Sequence, residues 1–180
     1  MRTIRLSASL LILPVALLLG ADEKHKHDHK KAGHGAHVHD TAEVDIAVEG
    51  KGGEIEIRVP AMGVVGFEYV PKTAADKKKQ ADALKAVETN IGSLIMLDPA
   101  AGCKLTPKGN AHVDQEEEDH AEVHAKFTVA CAKPWAGTKA TFGFSKAYKA
   151  VAKVKVQAVG AAGSTGAEIV GDKGSVTLPK

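Results

Sequence analysis

Aromatic residues are scarce in this chain of 180 residues: one Trp, two Tyr and four Phe. A hydrophobic core must therefore be assembled mostly from Val, Ile, Leu and Ala. Methionine is almost as sparse. Met62 and Met96 are the only ones beyond the initiator and stand far apart in sequence, which leaves a Cu(I) carrier without its thioether ligands. Basic charge is not in excess either. Removing the first twenty-one residues takes away Arg2 and Arg5 and no acid, which brings 24 basic residues level with 22 acidic ones, so no positive field is left to attract nucleic acid. Long apolar runs are missing after the front of the chain, so no later segment is expected to enter a bilayer.

The front itself has the layout of an export signal. Two arginines precede the apolar run Leu6–Leu19, and Gly20-Ala21 offers small residues for a peptidase. That run, broken by Pro14, is shorter than the roughly twenty residues a membrane span needs. No cysteine follows it to carry a lipid. The expected organisation is a secretion signal over 1–21, a mobile histidine-rich tail over 22–36, and a single β-rich domain over 37–180. The mature protein is expected to be an exported monomer with no membrane insertion. Cys103 and Cys131 are the only cysteines. In an exported protein they read as a structural disulfide, because a thiolate pair on a metal ordinarily shows the closer C-x-x-C spacing.

Period-two alternation marks the strands. Ala42, Val44, Ile46 and Val48 alternate with polar residues up to Glu49, the glycine-rich Gly50–Gly53 turns the chain, and Ile55, Ile57 and Val59 alternate again, predicting a β-hairpin. Pro60 should stop the second strand or kink it at a sheet edge. Val64–Val70, apolar and β-branched, predicts a short strand or bulged corner. Thr73 and Asp76 resemble a capping pair before an Ala/Lys/Leu/Glu-rich run, so a helix is expected over about 73–89, with Leu84, Val87 and Ile91 on one face. Further strands are expected at Lys104–Pro107, over Glu122–Cys131, through Ala140, Phe142 and Phe144, through Val154, Val156 and Ala158, and as edges at Ala167–Val170 and Ser175–Leu178. The sum is a mainly β, sandwich-like fold of antiparallel sheets with one helix, for which α+β is the alternative label.

Against these scarcities stands one excess: six of the nine histidines fall between His25 and His39. Neutral imidazole is the commonest protein ligand for borderline transition metals. His25, His27 and His29 sit among lysines and suit a scavenging tail. His34, His37 and His39 follow; if the strand at Ala42 extends backwards in phase, Val38 faces the core while His37 and His39 point outward together, about 7 Å apart. His120, Glu122 and His124 share the polar face of the later strand by the same spacing. His112, Asp114 and Glu116–Asp119 precede them as an acidic loop, which ordinarily is only solvated. A zinc site needs three or four ligands, so the two strands are expected to converge, with Glu122 or Asp40 as an oxygen ligand or outer partner. Zn2+ is the expected cargo; Ni2+ and Cu2+ would take the same imidazoles.

In their order and spacing, HGAHVH (34–39) with AEVDIAVEG, PAMGVVGFEY (60–69) with PKT, AAGC (100–103), HAEVHAKFTVAC (120–131) and VKVQAV (154–159) resemble the ZrgA-type zinc uptake proteins of Gram-negative bacteria. The resemblance covers about His34 to Val159. It implies a periplasmic zinc-binding protein working beside a zinc importer or its periplasmic binding protein, with His37, His39, His120 and His124 as ligands and a Cys103–Cys131 disulfide. Two departures stand out. The GFE motif of the family is often followed by His where this chain has Tyr69, and its histidine-rich insertion is here the acidic HVDQEEEDH. Catalysis is disfavoured: there is no H-E-x-x-H, and His37-Val38-His39-Asp40 lacks the remaining spacing of the hydrolytic metal sites that share its start. A structural domain with incidental histidines is the other alternative.

Overall fold

The computed structural model describes residues 40–117 and 120–180, with the backbone alone for Glu116 and Glu117. The segments read as signal and tail, and with them His25, His27, His29, His34, His37 and His39, lie outside the described residues.

Strands β1 (Thr41–Glu49) and β2 (Gly52–Pro60) form the expected hairpin, closed by the two-residue turn Gly50-Lys51. Gly50 takes φ 60°, which a side chain would disfavour. β2 pairs on its other side with the long β6 (His120–Cys131), and β1 pairs in parallel with β8 (Lys153–Gly160). β9 (Gly163–Val170) closes that end of the sheet. At the opposite margin, two strands share the outer edge of β6. β4 (Cys103–Pro107) takes the half that ends in Cys131, and β5 (His112–Glu117) takes the half that begins at His120. The result is a seven-stranded mixed sheet ordered β4-β6-β2-β1-β8-β9 with β5 beside β6.

One face of this sheet is apolar because of the alternation. Val44, Ile46, Ile55, Ile57, Val59, Val123, Phe127 and Val156 are all buried on it. A smaller sheet, formed by β3 (Ile95–Leu97), β7 (Lys139–Phe142) and β10 (Ser175–Thr177), adds Ile95, Ala140, Phe142 and Val176 to the same core. Trp135 packs into this core at the turn end of the β1–β2 hairpin, fully buried, with Nε1–H donating to the Gly52 carbonyl at 2.8 Å. A Cβ on Gly53 would stand 2.6 Å from that indole ring, so the glycine there makes room for the ring.

The long helix α2 (Ala74–Thr89) begins where expected, with the Thr73 hydroxyl accepting from the Asp76 backbone N–H at 3.0 Å. It buries Val87 and hands over to Ile91, also buried.

Several expectations are corrected. The chain after Pro60 forms a short helix α1 (Ala61–Val64) and then an irregular path, not a strand over Val64–Val70. Pro60 offers no N–H to continue the ladder, and Gly66 at φ 85° turns the chain back, so Val65 and Phe67 bury themselves without strand partners. Pro60 also ends an interior strand and not an edge one, since β2 lies between β1 and β6. Phe144 opens a helical turn α4 (Phe144–Ala147) instead of continuing β7, and α3 (Ile91–Leu94) is another single turn; the expected sheet-dominated fold with one long helix stands, and these short turns give it the α+β label. The last hairpin is longer than its glycine content suggested. Pairing with β8 from Gly160↔Gly163 to Lys153↔Val170 carries β9 through Gly163 and Gly166.

Candidate metal centre

The face of the large sheet away from the core is charged. Glu43 and Asp45 on β1 grip Arg58 of β2, with Arg58 Nη2 at 3.0 Å from Glu43 and 2.7 Å from Asp45. Partial burial opposes the charge on this guanidinium, but Asp45 and Glu43 together outweigh it and raise its pKa above the ordinary arginine value. Arg58 pairs in register with His124 of β6, which puts that histidine on the same charged face.

The segment expected to be a solvated acidic loop is the strand β5. The physical reason is an unfilled edge: β4 stops pairing at Pro107↔Phe127, while β6 runs on to His120 and leaves backbone groups that β5 satisfies. Val113 is the only large apolar residue β5 offers to the core side, too little to show as a period in sequence. The strand is anchored at its start by the Ala111 backbone N–H, which donates to the Glu88 carboxylate of α2 at 2.8 Å. Further along, the Gln115 amide donates to the Glu68 carbonyl at 3.0 Å and to the His120 carbonyl at 3.2 Å.

The β5–β6 register then brings His112 opposite His124 and Asp114 opposite Glu122. All four side chains fall on the charged face. The two imidazole rings lie 5.7 Å apart between centroids. His112 Nε2 is 3.4 Å from one Asp114 carboxylate oxygen, and His124 Nδ1 is 3.5 Å from the other. His112, Asp114 and His124 can each present a ligand atom within 4.8 Å of the other two. Among the described residues this is the one grouping of His, Cys, Asp and Glu close enough to hold an ion. Two imidazoles and a carboxylate are a donor set suited to Zn2+ or a similar divalent cation.

A family model described as "ZrgA family zinc uptake protein" matches residues 36–178. The chain belongs to that family. Zinc uptake, and not catalysis, is therefore its work, and the periplasm is where this family member acts. Among curated proteins none matches the chain significantly. No helix among the described residues is long and apolar enough to cross a membrane.

Of the ligands the sequence suggested, His124 stands in the triplet. Glu122 is buried beside it, with Oε2 3.3 Å from His124 Nε2. His120 opens β6 on the same face, opposite Glu117, but outside the triplet. Asp40, the other suggested oxygen donor, accepts a hydrogen bond from the Thr41 hydroxyl at 3.0 Å. His34, His37 and His39 fall outside the described residues. Tyr69 stacks on Phe67 with ring centroids 4.5 Å apart and donates to Asp76 at 3.4 Å. Cys103 and Cys131 are cross-strand partners joined in a disulfide, as expected.

His112 and Asp114 are not among the ligands the sequence suggested. A signal for them was present: His112-Val113-Asp114 and Glu122-Val123-His124 mirror each other about residue 118, the pattern of two strands folding back on one another.

Proposed function

We propose that the chain captures Zn2+ on the outer face of the β5–β6 hairpin, through His112, Asp114 and His124, and yields it to a zinc importer or to that importer's periplasmic binding protein. The observation that carries this reading is the approach of three ligand atoms to within 4.8 Å at the surface. Side-chain exposure of 56% for His112 and 51% for Asp114 keeps the ion reachable by a recipient. With three protein ligands, a fourth position is open to water or to an incoming donor.

The amino-terminal histidines are assigned to supply. Phase supports the proposal that His37 and His39 add to the site: Thr41, Glu43 and Asp45 are the alternate residues of β1, Glu43 and Asp45 reach Arg58, and Arg58 pairs with His124. In the sequence His39 and His37 keep the same alternation with these residues, which is the ground for proposing them, and His34 before them, as further donors. His120 completes the set the family resemblance implies.

Isothermal titration of the mature chain with zinc tests the reading. Wild type should show a tight equivalent that disappears when His112 and His124 are both replaced by alanine. Removal of residues 22–36 should delete only weaker equivalents. Tight binding that survives the double substitution and vanishes on tail deletion would reduce the protein to a scavenging tail on an inert domain. Since Cu2+ and Ni2+ can use the same donors, competition by each ion in the same cell reports how far the donor set discriminates.

A further inference from the structure

Each imidazole of the triplet has two ring nitrogens, and the structure gives the two nitrogens different company. In His124, Nε2 lies 3.3 Å from Glu122 Oε2 in hydrogen-bonding geometry, while Nδ1 faces Asp114 at 3.5 Å without a hydrogen bond. In His112 the roles are exchanged: Nδ1 lies in hydrogen-bonding geometry 3.4 Å from the Asn110 carbonyl, and Nε2 faces Asp114 at 3.4 Å. A carboxylate and a carbonyl can only accept. Asp114 also only accepts, but of the two contacts each ring makes only the one to Glu122 or Asn110 has hydrogen-bonding geometry, and that geometry assigns the proton of each neutral ring to the nitrogen facing Glu122 or Asn110. The lone pair of each ring is left pointing at Asp114, where a cation would meet it.

We infer that the two histidines ligate zinc through different atoms, Nδ1 of His124 and Nε2 of His112, and that Glu122 is a positioning residue which fixes the first of these, not a ligand. The inference rests on the hairpin site proposed above. Glu122 suits the role because its side chain is only 8% exposed, against 51% for Asp114. A buried carboxylate that accepts from the remote N–H of a ligating imidazole holds the ring in one orientation and strengthens it as a donor. Asn110 gives His112 the weaker counterpart, a neutral carbonyl on an exposed ring. The two halves of the site are thus unequal: a firm donor on β6 and a looser one on β5.

Long-range proton–nitrogen correlation spectra of the 15N-labelled mature chain, recorded without and with zinc and assigned through the His112→Ala and His124→Ala variants, test this directly. The expected result is that zinc shifts Nδ1 of His124 and Nε2 of His112, while Nε2 of His124 and Nδ1 of His112 keep their protons. Zinc on Nε2 of His124 overturns the inference and leaves the hairpin site standing. No response from either ring overturns both.

A second measurement uses Glu122→Gln. The amide can accept or donate, so the ring loses its single imposed tautomer. Zinc affinity should fall roughly ten- to a hundred-fold at unchanged stoichiometry, and the zinc-free spectrum should show His124 divided between two tautomers. Wild-type affinity with an undivided His124 signal in this variant overturns the positioning role.

Discussion

His112 and His124 occupy directly opposed positions on β5 and β6, twelve residues apart in sequence, with their rings 5.7 Å apart at the centroids and Asp114 beside both. Their pairing gives the strongest expectation for mutagenesis. His112→Ala should weaken zinc binding by at least about tenfold, a loss of roughly 1.4 kcal/mol, and by more than His120→Ala does, because His120 lies outside the triplet. Titration calorimetry of the two variants side by side decides the order. Protons compete with zinc for imidazole, so both variants and wild type should bind more weakly as the solution is acidified.

Tyr148 offers a test at the other end of the pH scale. Its burial raises the phenol above its ordinary value near 10. The unfolded chain then loses this proton first. The contribution to stability is whole below about pH 10 and drains away as pH rises through the folded-state value. Melting temperatures measured across this alkaline range should fall less steeply for Tyr148→Phe than for wild type.

Reducing the Cys103–Cys131 bridge, or replacing both residues by alanine, frees a segment with a sequence separation of 28 residues. Loop-closure entropy puts the cost at about 3–4 kcal/mol, or a fall of about 10 °C in melting temperature for a domain of this size. Calorimetric scans with and without reductant measure it.

Trp135 is the sole tryptophan and reports on the core that it fills. Trp135→Phe removes buried ring atoms and leaves the Gly52 carbonyl without its indole donor. Destabilisation of about 2–3 kcal/mol is expected from the lost volume and hydrogen bond combined, read from urea unfolding followed by circular dichroism. In wild type, the fluorescence of this one residue should shift to the red across the same transition.

What could be read from sequence was whatever repeats. β1, β2, β6 and β8 alternate over six or more residues, and each appeared close to its expected span; Thr73 and Asp76 marked the start of α2 because capping is a local event. β5 could not be found that way. Its strand character comes from the vacant edge of β6, a tertiary circumstance, and its own residues after Val113 are all polar. For the same reason His112 and Asp114 were absent from the ligand set, while His124, on a regular strand, was present. Val65 and Phe67 show the reverse error. Apolar, β-branched sequence suggested a strand, but burial alone was satisfied by irregular backbone after Pro60.

Two of the three proposed zinc ligands ride on one short marginal strand, and the third on its neighbour. An ion held there is a clasp between β5 and β6: it favours the closed hairpin by the free energy of its own binding, and any fraying that lifts β5 carries His112 and Asp114 away as a pair. The dwell time of the cargo and the local opening rate of the hairpin are thereby coupled. The grip of Glu88 on Ala111, made by a helix that touches no metal, becomes a setting on how readily zinc is let go.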